Sequence, residues 1–216
     1  MSADILVIPE CESPEKWRKS NKIHPINQFL WFGDNPNKGI GVITLNNNYQ
    51  IEVHPSYNKD FRYIIPLIVS GGDDDFILFA IWAQNAKKKY YSYIGQIHLA
   101  LDYYKFLLND PCIIVGDWNS NKIFDHINRD GTHSDVVEFL KSVNIKSAYH
   151  TYFNEEHGEE TKPTHYFRKS KDRPFHIDYV FVSETILKKL NFIEVGSFEE
   201  WIKLSDHTPI YREINN

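Results

Sequence analysis

The sequence lacks what would mark a secreted or membrane-bound chain. Only two cysteines, Cys11 and Cys112, occur in 216 residues, too few and too far apart for a disulfide scaffold. No stretch approaches the roughly 20 consecutive apolar residues that a membrane span requires. No basic region precedes the first apolar run, as it would in a signal peptide. A cytoplasmic location is the resulting expectation, with no membrane partner. A surplus of positive charge is also missing: 24 Lys and Arg stand against 29 Asp and Glu, a net charge of −5. That argues against non-specific coating of DNA but leaves room for a local basic strip. With no internal repeat and no long linker, residues 1–216 read as a single domain, expected to be monomeric.

Aromatic residues are plentiful at 15%, with 13 Tyr, 14 Phe and 5 Trp, which suits a sheet-rich core. Apolar runs at Asp4-Ile5-Leu6-Val7-Ile8, 39–44, 63–69, 76–82 and 112–115 read as strands. Pro66 pushes the third of these towards a sheet edge or a bulge. The Gly71–Asp75 turn joins it to the fourth as an antiparallel pair, and a solvated turn fits it better than a calcium loop, because no Glu follows at the required spacing. Between residues 91 and 108 the period changes: Ile94, Ile97, Leu101, Tyr104 and Leu108 recur at helical steps. Residues 134–143 predict a second helix with Ser134 as its N-cap, and 185–190 a short third. A strand is expected over 175–182 and a last one near 209–212. Strand pairs interspersed with single helices imply an α/β fold of two sheets covered by helices.

Polar clusters sit at the ends of these strands, where a sheet-based site presents its groups. Glu10-Cys11-Glu12 follows the first strand, Gly116-Asp117-Trp118-Asn119 follows the strand at 112–115, and Ser205-Asp206-His207 precedes the last. Asp178 lies between Ile177 and Tyr179, where a charge needs a partner. Each cluster alone is more often a plain turn or a surface pair than a site. Hard oxygen ligands, with no Cys/His pair at zinc spacing, point to Mg²⁺ or Mn²⁺ as the cofactor.

Taken in order, Asp4-Ile5-Leu6-Val7-Ile8-Pro9-Glu10, Gly116-Asp117-Trp118-Asn119-Ser120, His176-Ile177-Asp178-Tyr179-Val180-Phe181 and Ser205-Asp206-His207 resemble the endonuclease/exonuclease/phosphatase superfamily. The resemblance runs from Asp4 to Ile210. It implies a four-layer α/β/β/α sandwich and metal-dependent phosphodiester hydrolysis. Glu10 and Asp206 match metal-binding acids. His207 matches the general base or phosphate contact, and Asp178 the carboxylate that orients it. Asp117 matches the acid that positions water or assists the leaving oxygen, and Asn119 the residue that holds the scissile phosphate. The chemistry is consistent: a cation and hydrogen-bond donors offset the charge growing on the leaving oxygen, and a positioned base is worth roughly 10² to 10⁴-fold.

Three departures from the family pattern stand out. Its opening strand, which ends in an Asn, has no counterpart ahead of Asp4, so the expectation is a domain short at its N-terminus through an abbreviated start or a true loss. Pro9 replaces a common Gln. Trp82 stands where nucleases of the family carry a Tyr or His that contacts substrate, and an indole cannot titrate. His133, His150 and His165 are expected at the surface or as caps rather than in catalysis.

Arg168, Lys169, Lys171 and Arg173, interleaved with Tyr166, Phe167 and Phe175, form a basic aromatic loop suited to a nucleic-acid backbone, although such a loop is also an ordinary solvated turn. Lys87-Lys88-Lys89 is a second basic run. The expectation is a nuclease acting on DNA, with Trp82, Arg168, Lys169 and Arg173 touching substrate. The alternatives are a phosphatase for a small phosphorylated metabolite or lipid head group, and a non-catalytic binding domain on a decayed nuclease fold.

Overall fold

The computed structural model describes residues 3–19, 26–72, 74–87, 91–108, 111–126 and 131–214. Its centre is a six-stranded sheet in the order β4(Tyr49–Val53), β5(Ile64–Gly71), β6(Phe76–Trp82), β7(Cys112–Asp117), β11(Asp178–Ser183), β8(Ile145–Ser147). Neighbours run antiparallel except β6 and β7. That parallel pair needs a crossover, supplied by α2(Ile94–Tyr103).

The apolar runs of β5 and β6 reflect burial on both faces. Ile77, Phe79 and Ile81 face Ile97, Leu101 and Tyr104 of the α2 region and Val136 and Leu140 of α3(His133–Ser142). The alternating Phe76, Leu78, Ala80 and Trp82 face the second sheet. That sheet has the order β1(Ile5–Cys11), β3(Lys38–Thr44), β2(Gln28–Asn35), and contributes Ile5, Val7, Leu30, Phe32, Ile40 and Val42. A pair formed by β12(Leu190–Val195) and β13(Ile210–Ile214) adds Ile193, Val195 and Ile210 to the same core. Helices α1(Pro14–Lys19) and α6(Phe198–Trp201) cover the outside: Trp17 packs edge-on against Phe29 at 5.3 Å and Trp201 lies 6.4 Å from Tyr211. The result is the expected α/β/β/α sandwich.

Several local expectations are corrected. Pro66 sits inside β5, an interior strand, opposite Phe79. Its carbonyl accepts from the amide of His54, just past the end of β4. In an antiparallel ladder a residue's N–H and C=O point the same way, so the missing donor falls where the β4 ladder stops. The cap of α3 is Thr132, not Ser134: Thr132 and Asp135 form a reciprocal capping box, while the Ser134 hydroxyl donates to Asp125 at 2.6 Å. The strand expected over 175–182 is split into β10(Pro174–Phe175), which forms a hairpin with β9(His165–Tyr166), and β11. Both cysteines are free and buried. The Lys87-Lys88-Lys89 run falls partly outside the described residues. Among the described residues, no helix is long and apolar enough to cross a membrane.

Candidate active site

The strand ends converge at one end of the sandwich. Asp117 ends β7 and Asp178 begins β11, and the two are direct cross-strand partners. Gly116 makes this possible: its φ is 140°, and a Cβ there would lie 1.9 Å from the Ile81 carbonyl oxygen, so only glycine lets β7 approach β6 this closely. Asp117 is 2% exposed. Asn119, in a left-handed conformation with φ 47° that Asn tolerates better than most residues, folds back on it. The Asn119 backbone N–H donates to Asp117 Oδ1 at 2.8 Å and its Nδ2 donates to Oδ2 at 2.7 Å. Nδ2 also donates to the Ala83 carbonyl at 3.1 Å. Both amide hydrogens are therefore engaged, so Asn119 positions Asp117 here, and reaching a phosphate through Nδ2 requires exchanging one of these bonds.

His207 joins this pair from the other side. Its Nδ1 lies 2.9 Å from Asp178 Oδ2, and its backbone N–H donates to the Ser205 hydroxyl at 3.0 Å. Fully buried Thr164 holds the arrangement in register. Its hydroxyl accepts from the amides of Ile177 and Asp178, each at 3.0 Å, and its carbonyl accepts from Thr208 at 2.7 Å. Burial disfavours the imidazolium, but Asp178, Asp117 and Asp206 together overcome this and raise His207 to about 9. Burial, reinforced by Asp178, pushes the Asp117 carboxyl up to about 8. Donor atoms of Asp117, Asp178 and His207 lie within 4.8 Å of one another, a crowded and poorly solvated acid cluster with the oxygen-rich donors a divalent cation takes.

The two acids expected to bind metal sit at the rim. Glu10 occupies a bulge in β1, where the register against β3 shifts between Ile8 and Cys11, and its φ is 58°. Such a bulge re-aims a side chain, and Pro9, which cannot donate to a ladder, fits the irregularity. Glu10 pairs with Lys38 at 2.7 Å, both about half exposed. Asp206 is 3.8 Å from His165 Nε2, with its side chain 47% exposed. Trp82 does not face outward as expected. It is 4% exposed, stacked on Tyr63 at 4.9 Å, and lies beneath Lys38, whose Nζ is 5.6 Å from the ring. A ring in the inter-sheet core supports the site from below. Arg168, Lys169 and Arg173 lie on the exposed connection between β9 and β10, and Arg168 sits over Phe167 at 5.3 Å.

His165, expected at the surface or as a cap, lies at the site instead. It forms an isolated β-bridge with His207, their rings 4.5 Å apart. Burial and the neighbouring His207 lower its pKa. The position of the Thr164-His165 pair ahead of the Asp178 strand was its signal. Lys38, reaching Glu10 across the β1–β3 ladder, left none.

A two-sheet sandwich with two acids and an imidazole clustered at one end is the architecture of a phosphoesterase class of hydrolase. The sequence matches the profile of the Endonuclease/Exonuclease/phosphatase family over residues 2–207, and the chain belongs to that family. No curated protein matches it. Among solved structures, an AP endonuclease from Leishmania major superposes with a TM-score of 0.72 at 11% identity, covering 99% of this chain and 78% of that one. A 3′ phosphatase from Neisseria, bound to a product DNA hairpin, gives 0.65 at 13% identity over 98% and 89%. The endonuclease domain of TRAS1, a telomere-specific non-LTR retrotransposon, gives 0.57 at 14% identity over 99% and 79%. At these identities the likeness is one of fold.

Proposed function

We propose that this protein is a divalent-metal-dependent nuclease that hydrolyses phosphodiester bonds in DNA. The observation that carries this reading is the Asp178–His207 pair set against buried Asp117. Asp178 takes the Nδ1 proton of His207 in a hydrogen bond, which fixes the ring and sustains its charge. The charged ring then contacts a phosphate oxygen through Nε2. Asp117, its pKa raised to about 8, sits near the working pH where a group can both hold and give up a proton. It serves the attacking water or the leaving oxygen, and Asn119 keeps it in place.

Glu10 and Asp206, with Asp117 and Asp178 behind them, would hold Mg²⁺ or Mn²⁺. When bound, the ion supplies Lewis-acid stabilisation of the charge on the phosphate. Exposed Tyr93 and Phe124 line a hollow with Asn119, and exposed Phe167 lies 6.4 Å from His165. Phe124 packs on Phe175 at 5.6 Å, and Phe175 stacks on His165 at 6.2 Å. Aromatic faces beside a basic loop suit unpaired bases and a phosphate backbone. That favours nucleic acid over a lipid head group, and the solved relatives named for DNA-directed activities support it.

The test is cleavage of supercoiled plasmid, single-stranded DNA, abasic duplex and RNA in Mg²⁺, in Mn²⁺ and in EDTA. DNA cleavage should require the metal and fall by several orders of magnitude in His207→Ala. Inertness towards every nucleic acid, with phosphomonoesters cleaved instead, defeats the nuclease reading in favour of a phosphatase. Inertness towards both classes favours a binding domain.

A further inference from the structure

Away from the active site lies a second concentration of titratable groups. His133 and His150, expected at the surface, are both buried, as is His176. Together with His157 and Glu160 they surround one end of Tyr179: the rings of His133, His150, His157 and His176 all lie within 6.2 Å of the Tyr179 ring. His150 belongs to α4(Ala148–Phe153), while His157 and Glu160 come from the irregular segment that follows it.

The contacts are close. His150 Nε2 is 3.1 Å from Glu160 Oε1, and the His150 and His157 rings stack with centroids 3.5 Å apart, so one ring must turn for both to address a single ion. His133 Nε2 is 3.3 Å from His157 Nδ1. Donor atoms of His150, His157 and Glu160 all fall within 4.8 Å of one another.

The surroundings resemble the outer support of a metal site. Ser147 Oγ lies 2.7 Å from His150 Nδ1, which leaves Nε2 for a ligand when Nδ1 carries the proton. Asn121 Nδ2 donates to Glu160 Oε2 at 3.0 Å, and the Gly158 amide donates to Oε1 at 3.0 Å. Two further nitrogens of the group are buried with no partner: His133 Nδ1 and His176 Nε2. Because His176 Nδ1 is 2.7 Å from the Lys162 carbonyl, it carries the proton there, and Nε2 is a bare lone pair. A pocket of about 460 Å³, lined among others by Ser147, His150, Glu155 and His157, gives access from solvent.

We propose that His150, His157 and Glu160 bind a transition-metal ion of the zinc class, separate from the catalytic centre. Two imidazoles and a carboxylate are a zinc donor set with one position left open. The oxygen-rich catalytic cluster suits Mg²⁺ instead, so the two centres sort their ions by ligand softness. The ion fastens α4 to the segment that runs directly into Thr164 and His165. It is therefore a brace for the register of Asp178 and His207 and stands whether or not the substrate is DNA.

The experiment strips the full-length protein with EDTA and titrates it with Zn²⁺ in excess Mg²⁺. Bound zinc is counted by elemental analysis, and Co²⁺ is substituted to read coordination from its visible spectrum. Wild type and His207→Ala should each retain one equivalent with a tetrahedral cobalt band. His157→Gln and Glu160→Gln should bind zinc about 100-fold more weakly or worse and lose the thermal stabilisation that Zn²⁺ gives the wild type. Zinc binding that survives His157→Gln and Glu160→Gln, or that disappears in His207→Ala, overturns the proposal. If the first two variants do not fold, the cobalt spectra of wild type and His207→Ala decide alone, and absence of the tetrahedral band from both also overturns it.

Discussion

Asp117 and Asp178 are cross-strand neighbours in the β7–β11 ladder, a placement in which like charges work against the sheet. Burial and Asp178 raise Asp117 from 3.8 to about 8. A carboxyl whose folded pKa lies above its unfolded value stabilises the fold less and less as pH climbs between the two. Asp117→Asn removes that loss while keeping the shape. It should lower activity by about 10² to 10⁴-fold, yet unfold in urea at an equal or higher midpoint, with its advantage greatest above pH 8. A variant that is both inactive and clearly less stable at alkaline pH would falsify the view that this acid is kept for chemistry at the expense of the fold.

His207 depends on Asp178 for its charge. Its pKa of about 9 against an ordinary 6.5 means that its contribution to stability is full below 6.5 and vanishes as pH rises through 9. Asp178→Asn should carry the alkaline limb of the kcat/KM profile down towards 6.5 and reduce activity at neutral pH by at least about 10-fold. The pH–rate profile is the measurement, and an unmoved limb assigns it to another group.

Arg168, Lys169 and Arg173 lie on the exposed β9–β10 connection, where Lys171 is already paired with Glu199. Among the described residues, no carboxylate forms an ion pair with the other three. Replacing any of them with Gln should raise KM for DNA, leave kcat within about 2-fold, and reduce the slope of log affinity against log salt by up to about 1. An unchanged salt slope in the triple variant removes the loop from the substrate path.

Trp118 is fully buried and stacks on Phe181 at 4.7 Å. Its indole nitrogen is buried with no partner. Trp118→Ala should cost about 3–5 kcal/mol as a cavity opens beneath Asp117. Trp118→Phe gives up volume but also removes the unsatisfied N–H, and should cost less than about 2 kcal/mol. Denaturant midpoints of the two variants test the ordering.

Much of this was readable from the residue order. Gly116-Asp117-Trp118-Asn119 and His176-Ile177-Asp178-Tyr179 announce themselves because each lies where an apolar run stops and a charge begins. The alternation of β5 and β6 is plain because both faces are covered. What escaped depends on long-range geometry. β2 carries Phe29, Leu30, Trp31 and Phe32 in a row, with neither a period of two nor a helical one to sort them, and its faces are assigned only by packing on Trp17 and the inner core. His165 has a sequence signal in its position ahead of the Asp178 strand, but the bridge that brings it to His207 is long-range. The family resemblance makes Asn119 a phosphate contact, whereas Asp117 and Ala83 claim both of its amide hydrogens. His133 and His150 sit on α3 and α4 and His157 on the irregular segment after α4, so no local spacing in the sequence groups them.

The bridge between His165 and His207 has a consequence for the birth of the protein. Asp117, Asp178 and His207 reach one another only through non-local pairings, the last supplied by a segment that lies beyond β12. Non-local contacts form late in folding, and synthesis proceeds from the N-terminus. A chain still emerging from the ribosome can pair Asp117 with Asp178 but lacks the imidazole until residue 207 has been made and docked. The cluster is therefore completed in one step, when the segment that carries His207 docks, rather than group by group.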